Sequence, residues 1–238
     1  MVIGASGEVG EGVVAALLTA GREVVAAARD KAGLESLAGR LGHPSRLRLL
    51  AGSVADDGAA QRLAVEAGAV SHVVVAVNGQ RKPLRLKALD TPAMAALLAA
   101  DLLSHHAAVR CFLPRLPRHG CLVGIGGGSA DFILDGGVPM SMAQAALRQM
   151  YRGFAHEREG DVPALRELIV ASVVAGRRHG EDADPDWVTA GEIGGLVADM
   201  LKDPARYPGT IWRIARRGAD GRPVVAPEAA AAARTLPL

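Results

Sequence analysis

The chain has 238 residues, a length that fits one α/β domain with a single large core. Half of the residues are apolar but only 3% are aromatic, so we expect a core of valine, leucine, isoleucine and alanine packed around glycines. A net charge of +2, without a basic stripe interleaved with aromatic residues, argues against a nucleic-acid-binding surface. Small molecules are the expected partners.

Cys111 and Cys121 are the two cysteines, with no C-x-x-C pair and no histidine at zinc-ligand spacing. This usage predicts reduced thiols, no metal site and a cytoplasmic protein. We see no apolar run of the roughly 18 residues that a membrane span needs, and strand-forming residues begin at Met1, which leaves no room for a signal peptide. A strand usually has about five residues, so the first one is either short or begins upstream of Met1.

The first thirty residues read as strand, turn, helix and strand. Gly4, Gly7 and Gly10 have G-x-x-G-x-x-G spacing, directly after the apolar Val2-Ile3 and before a helix predicted from Glu11 to Ala20. Glycines allow a tight turn and close approach of a diphosphate, and unpaired N–H groups at a helix start bind phosphate. The pattern predicts a dinucleotide-binding turn; the alternative is an ordinary strand-to-helix turn.

Arg29 and Asp30 follow the second predicted strand, Glu23 to Ala28. An acidic side chain here would take the ribose hydroxyls of NAD, whereas an arginine accommodates the 2′-phosphate of NADP. We therefore favour NADP(H) over NAD(H). Asp30 keeps NAD(H) open, and a solvated strand end is the plainer interpretation of Arg29.

Strand and helix patterns alternate along the rest of the chain. Strands are predicted at 46–50, 71–77, 120–125, 165–174 and 210–214, and helices at 32–41, 56–67, 92–112, 140–156 and 189–201. The alternation predicts a doubly wound α/β Rossmann fold, with a parallel sheet of about seven strands, helices on both faces and ligand at the carboxyl ends of the strands. Residues 1–221 would form this domain, and the Ala/Pro-rich 222–238 a tail, either an ordered arm or frayed.

Three connections have unusual composition. Gln80 to Lys87 places four cations around a proline, which could guide an anionic ligand or simply form a solvated loop. The run Gly124 to Ser129 predicts a flexible loop after the fifth strand. Arg177 to Asp186, rich in charge and glycine, is the predicted mobile lid.

Taken together, the element order, the glycine turn, Ala28-Arg29-Asp30, Asn78-Gly79 and the finish over 189–214 resemble the short-chain dehydrogenase/reductase family over nearly the whole chain. The resemblance implies hydride transfer between NAD(P) and a carbonyl or alcohol. It also implies a homodimer or homotetramer formed through helices 92–112 and 140–156. The expected cofactor contacts are Gly4, Ser6, Gly7, Val9, Gly10, Arg29, Asp30, Ser53, Val54, Asn78 and Gly79.

The family uses a tyrosine as acid/base, a lysine four residues later, an earlier serine and an asparagine on the preceding long helix. Alignment on Pro139 places Met140 at the tyrosine and Gln144 at the lysine, with Gly127 near the serine position and Asp101 near the asparagine. Both principal proton-transfer side chains are thus absent.

Other residues are poor replacements for the tyrosine. Tyr151 lies three helical turns beyond Met140, roughly 16 Å along the axis, Tyr207 stands beside the last strand, and Ser141 points about 100° away around the helix. Asp101 and His105, one turn apart, are the acid/base pair that the alignment offers, although that part of the helix often faces another subunit in the family.

Ser129 and Asp131 are further polar candidates, and no nucleophile triad or metal site is evident. Three functions stay open. The first is an NADP(H)-dependent oxidoreductase assisted by nonstandard groups or water. The second is a catalytically silent NADP(H)-binding homologue, a sensor or the structural half of an oligomer. The third is a non-redox enzyme using Asp101 and His105.

Overall fold

The structure, a computed structural model, describes residues 1–79, 84–158, 162–177 and 179–228. The predicted cationic loop 80–87 therefore lies partly outside the described residues, as does most of the predicted tail.

Strands occupy the positions that the apolar runs predict, with two short additions and one late strand. They are β1 (Val2–Ile3), β2 (Val24–Ala28), β3 (Leu47–Ala51), β4 (His72–Val75), β5 (Cys121–Gly127), β6 (Ala164–Ala171), β7 (Val174–Ala175), β8 (Val188–Thr189), β9 (Ile211–Arg217) and β10 (Pro223–Pro227).

Seven α-helices alternate with these strands in the described part of the chain. They are α1 (Glu8–Thr19), α2 (Lys31–Arg40), α3 (Asp57–Ala67), α4 (Thr91–Leu98), α5 (Ser104–Phe112), α6 (Val138–His156) and α7 (Ala190–Lys202). Side-chain caps fix several starts, because Asp30, Asp56 and Asp90 each accept first-turn N–H groups and Thr189 forms a capping box with Glu192.

The main sheet has the order β10-β9-β6-β5-β4-β1-β2-β3, and β7 pairs with β8 separately. All neighbours in the main sheet are parallel except β10, which is antiparallel to β9. The doubly wound Rossmann prediction is confirmed, with eight strands rather than about seven because Pro223–Pro227, assigned to the tail from sequence, extends the sheet. Strand order reverses between β1 and β4, which is where such folds bind ligands.

Each face of the sheet is covered by its own apolar layer. Helices α3, α5 and α6 bury Leu63, Phe112 and Leu147 on one face. Helices α1, α2 and α7 bury residues such as Val13 and Ile193 on the other.

The run Gly124 to Ser129 lies in a strand and a 3₁₀ turn, so the prediction of a flexible loop over these residues was wrong. Cys121–Gly127 forms β5, and a 3₁₀ turn follows at Gly128–Ala130. A Cβ at Gly124 would lie 1.9 Å from the Tyr151 hydroxyl oxygen, and one at Gly126 would lie 2.1 Å from Glu167 Oε1. These glycines make room for large side chains.

The helical segment Thr91–Arg115 contains α4, a π-helical turn at Ala99–Leu103, α5 and a final 3₁₀ turn. At 25 residues and a mean hydropathy of 1.2 in its most apolar window, it has the length and composition of a membrane span. Half of that window is buried inside the fold.

Helices α1 and α7 touch through their backbones. A Cβ at Gly12 would lie 2.2 Å from the Ala190 carbonyl oxygen, and one at Gly194 would lie 2.2 Å from the Gly12 carbonyl oxygen. Glycine at both positions is therefore a packing requirement.

Gly194→Ala should lower the free energy of unfolding by about 1–3 kcal/mol, because its methyl group would force the helices apart. The matched control is the neighbouring Gly195→Ala, whose Cβ meets no described atom within 4 Å. That control should be neutral or stabilising by up to about 1 kcal/mol, since alanine favours a helix. Urea denaturation measures both, and equal effects would contradict the contact.

Candidate cofactor and active site

The turn between β1 and α1 is built from backbone in close contact. Gly4 has φ +84°, and a Cβ there would lie 2.3 Å from the Ala76 carbonyl oxygen at the end of β4. A Cβ at Gly10 would lie 2.2 Å from the Gly4 carbonyl oxygen. Helix α1 starts after Gly7 without a side-chain cap. The first-turn N–H groups thus point to the place between β1 and β4 where the strand order reverses. We call this turn the cradle, and it fits a diphosphate.

Arg29 and Asp30, which bear on cofactor choice, have different surroundings after the end of β2. Asp30 caps α2, where its carboxylate accepts the N–H groups of Ala32 and Gly33 at 3.0 Å each. Arg29 is exposed. Ser6 stands beside the start of α2, since its Cβ would be 3.2 Å from a Cβ at Gly33.

The remaining predicted cofactor contacts differ in what they can offer a ligand. Val9 packs against the core, and Val54 is 4% exposed, so its side chain is committed to the interior. Ser53 accepts the Ala55 N–H at 3.1 Å. Asn78 is exposed just after β4, and Gly79 follows it.

Asp101 lies in the π-helical turn and is 6% exposed. Its Oδ1 accepts the Gly79 N–H at 2.6 Å, so the carboxylate fixes the loop after β4. Wide turns of this kind are frequent at functional sites.

His105 is fully buried, and both ring nitrogens have partners. Its Nε2 lies 3.0 Å from the Val77 carbonyl oxygen, which can only accept, so Nε2 carries the hydrogen. The Tyr151 hydroxyl then donates to Nδ1 at 3.0 Å. Burial lowers the pKa of His105 to about 4, and the ring is neutral at neutral pH. The structure thus gives Asp101 and His105 separate partners.

Tyr151 is also fully buried, and burial, together with the nearby Glu167, raises the pKa of its hydroxyl well above the usual value. The hydroxyl joins α6 to α5 beneath the end of β4. In this arrangement the His105–Tyr151 pair positions the strand end and has no open nitrogen for a substrate proton.

Two buried side chains of α6 have a polar atom without a hydrogen-bond partner in the described part of the chain. Gln144, 1% exposed, accepts the Gly127 N–H through Oε1 at 2.6 Å, which identifies its other atom as Nε2. Gln144 Nε2 and Ser141 Oγ are both buried without a hydrogen-bond partner among the described residues. Buried polar atoms of this kind call for a water molecule or a ligand. Met140 is half-buried and has a contact of its own.

The two further polar candidates, Ser129 and Asp131, lie just beyond β5. Ser129 is half-buried in the 3₁₀ turn. Asp131 pairs with Arg148 at 2.5 Å and with Arg213 at 2.6 Å, which ties its carboxylate to α6 and β9.

Glu8 is a residue at the site that the sequence reasoning missed. Its Oε1 accepts the Arg177 N–H at 2.6 Å, so Arg177, the start of the predicted lid, is bonded to α1. The sequence contains a sign of this role, because an acidic residue inside a predicted phosphate-binding turn would repel an anion.

Glu167 on β6 was also missed. It is 1% exposed, and its Oε2 has no partner in the described part of the chain. Burial raises the pKa of Glu167 to about 8, although Arg148 acts in the opposite direction.

A cavity of about 1470 Å³ opens at the amino ends of the strands, opposite the cradle. Its lining includes Met1, Arg22, Arg46 and His72. It is remote from the strand ends that carry the cradle. Within the described ranges, no group of three or more His, Cys, Asp or Glu side chains could hold a metal ion.

Residues 4–161 match the family model described as enoyl-(acyl carrier protein) reductase. The comparison with curated proteins found no significant match.

Many solved structures are similar. An NADPH-bound short-chain oxidoreductase from Pseudomonas aeruginosa PAO1, described as containing an atypical catalytic center, superposes with TM-score 0.77 at 22% identity, covering 90% of this chain and 94% of that one. An alcohol dehydrogenase from Thermococcus sibiricus complexed with 5-hydroxy-NADP gives 0.74 at 22% identity, with coverage of 90% and 94%. A short-chain glucose/ribitol dehydrogenase from Brucella melitensis gives 0.74 at 15% identity, with coverage of 90% and 94%. At these identities the likeness shows a common fold.

Glu167→Gln should change how stability depends on pH. The folded protein keeps a proton on Glu167 up to about pH 8, whereas the usual pKa is 4.5. Stability from this group is therefore complete below pH 4.5 and is lost as pH rises to about 8, by up to about 1.4 kcal/mol per pH unit.

The variant lacks this loss, so its free energy of unfolding relative to the wild type should rise from pH 5 to pH 8. Urea denaturation of both proteins isolates the effect, because the histidines titrate in both. A pH-independent difference would contradict a protonated Glu167.

Proposed function

Because the chain belongs to the short-chain dehydrogenase/reductase family, we propose that it binds NADP(H) at the β1–α1 turn and is an oxidoreductase of a carbonyl or alcohol. The observation that carries the proposal is the cradle itself. Gly4 and Gly10 admit backbone where any side chain would collide, at the point where the strand order reverses. Uncapped N–H groups at the start of α1 suit a diphosphate.

The preference for NADP(H) rests on the different positions of Arg29 and Asp30. Asp30 is occupied as the cap of α2 and is a poor partner for ribose hydroxyls. Arg29 is exposed, and the Ser6 hydroxyl lies near the start of α2. A guanidinium and a hydroxyl are suitable ligands for a 2′-phosphate. NADPH and 5-hydroxy-NADP in two similar structures agree with this choice.

The bound cofactor would supply hydride chemistry. The chain's own residues bind and orient it. The α1 start holds the diphosphate, and Asn78 and Gly79 border the site at the end of β4, where Asp101 keeps the Gly79 N–H in place.

Proton transfer would have to use water. The unsatisfied Gln144 Nε2 and Ser141 Oγ, one turn apart on α6, are suited to hold a water molecule near the end of β5. Such a water would give the alkoxide the proton that a tyrosine gives elsewhere in the family, and the hydroxide left behind would take a proton from bulk solvent. Neither side chain is an effective acid near neutral pH, so we expect slow turnover.

The second candidate is a silent NADP(H)-binding homologue. It is favoured by the chemistry of the α6 face, where a thioether and a carboxamide, Met140 and Gln144, stand in place of an acid/base and its ammonium partner. The third candidate, a non-redox reaction using Asp101 and His105, is weakened by their separate hydrogen-bond partners.

We also propose a cytoplasmic homo-oligomer. Both cysteines are buried and free, which suits a reducing compartment. Helix α4 is apolar yet has no buried residue, and Leu103 and Met142 are 50% and 47% exposed. A second copy of the chain would cover this surface.

Cofactor choice is tested by titrating NADPH and NADH against wild type and Arg29→Ala, by calorimetry and thermal shift. Losing a charge-assisted contact to the 2′-phosphate should weaken NADPH binding about 10- to 100-fold and leave NADH binding unchanged. Arg22→Ala, at the amino end of β2 and away from the cradle, is the control. No binding of either dinucleotide by the wild type would refute the cofactor proposal.

Activity is tested by NADPH oxidation with a panel of carbonyl compounds, comparing wild type with Met140→Tyr/Gln144→Lys. We expect slow turnover by the wild type and a gain of about 10²- to 10⁴-fold in the double variant, the usual range of general acid catalysis. Turnover by the double variant alone would instead establish the silent homologue.

A further inference from the structure

Glu8 places a negative charge at the start of α1. It is the first residue of the helix, and its carboxylate leaves the helix to accept the Arg177 N–H at 2.6 Å. A Cβ at position 176 would lie 1.8 Å from Glu8 Oε1, so Gly176 is what allows the carboxylate to lie against this backbone.

A second carboxylate on the same helix holds the same segment. Arg177 pairs through its guanidinium with Glu11 Oε2 at 2.6 Å. Glu11 is in turn bonded by Arg40 of α2, at 2.7 Å for the shortest contact. We call the contacts of Glu8 and Glu11 with residues 176–177 the α1 clasp. It joins parts of the chain that are 169 residues apart.

Glu8 is the first residue of the helix whose start the proposed function assigns to the diphosphate. The first-turn N–H groups and the helix dipole favour one negative group at this place, and like charges in one site exclude each other. The carboxylate of Glu8, on the first residue of α1, is the chain's own anion beside this start, and a dinucleotide diphosphate would bring a second.

We propose that Glu8 competes with the cofactor diphosphate for the start of α1, so that Glu8 lowers cofactor affinity and binding must detach residues 176–177 from α1. This inference rests on the proposed NADP(H) site. It makes Glu8 an affinity-determining residue, and it makes opening of the clasp a step of cofactor entry.

The test is NADPH affinity, measured by calorimetry. Glu8→Gln keeps the shape of the side chain but removes its charge. Gly176→Ala acts from the other side, because its methyl group would displace the carboxylate. Both variants should bind NADPH about ten-fold more tightly, as expected when the open form is about a tenth of the population.

Two controls separate this effect from general changes. Glu23→Gln makes the same chemical change at the amino end of β2 and should leave NADPH affinity unchanged. Adenosine 2′-monophosphate, which has the adenine end without a diphosphate, should bind wild type and Glu8→Gln equally.

The outcomes distinguish the two proposals. NADPH binding that is equal or weaker in Glu8→Gln than in wild type would overturn the competition and leave the cofactor site standing. A failure of the wild type to bind either dinucleotide would overturn the cofactor site and the competition with it.

Discussion

The close approach of backbone to backbone around α1 is the constraint on which this fold depends. Gly4 lies against β4, Gly10 against the turn itself, and Gly12 and Gly194 let α7 lie against α1. A Cβ atom at any of these positions would lie 2.2–2.3 Å from a carbonyl oxygen, which is much closer than van der Waals contact. The same contacts that fix α1 in the fold bring its uncapped N–H groups to the point where the strand order reverses, so packing and the proposed ligand binding share one cause.

Beneath this cradle, four of the buried polar side chains carry no charge. His105 is neutral, Tyr151 donates to it, Glu167 keeps its proton, and Gln144 uses only its oxygen. Gly124 and Gly126 are strand residues that make space for two of these side chains. These side chains are held by hydrogen bonds, which agrees with our proposal that the molecule binds a dinucleotide but lacks the usual groups that move a proton.

Local sequence signals predicted most of the fold, because apolar runs, glycine turns and helix caps act over short distances. The helix predicted at 140–156 is Val138–His156, and the strand predicted at 120–125 is Cys121–Gly127. Contacts between distant residues could not be read in this way. The spacing of Asp101 and His105 predicted a common face but not their partners at Gly79 and Val77. Nor does any local pattern join Pro223–Pro227 to β9, or Glu8 to Arg177.

We propose that the start of α1 holds NADP(H), although the side chain of Glu8, the first residue of this helix, competes with it. A crystal structure at saturating NADPH tests this most directly. We expect a diphosphate on the first-turn N–H groups of α1, the 2′-phosphate beside Arg29, and the Glu8 carboxylate detached from the Arg177 N–H. A structure in which NADPH is bound elsewhere, or in which the Glu8–Arg177 contact persists beside the bound diphosphate, would contradict it.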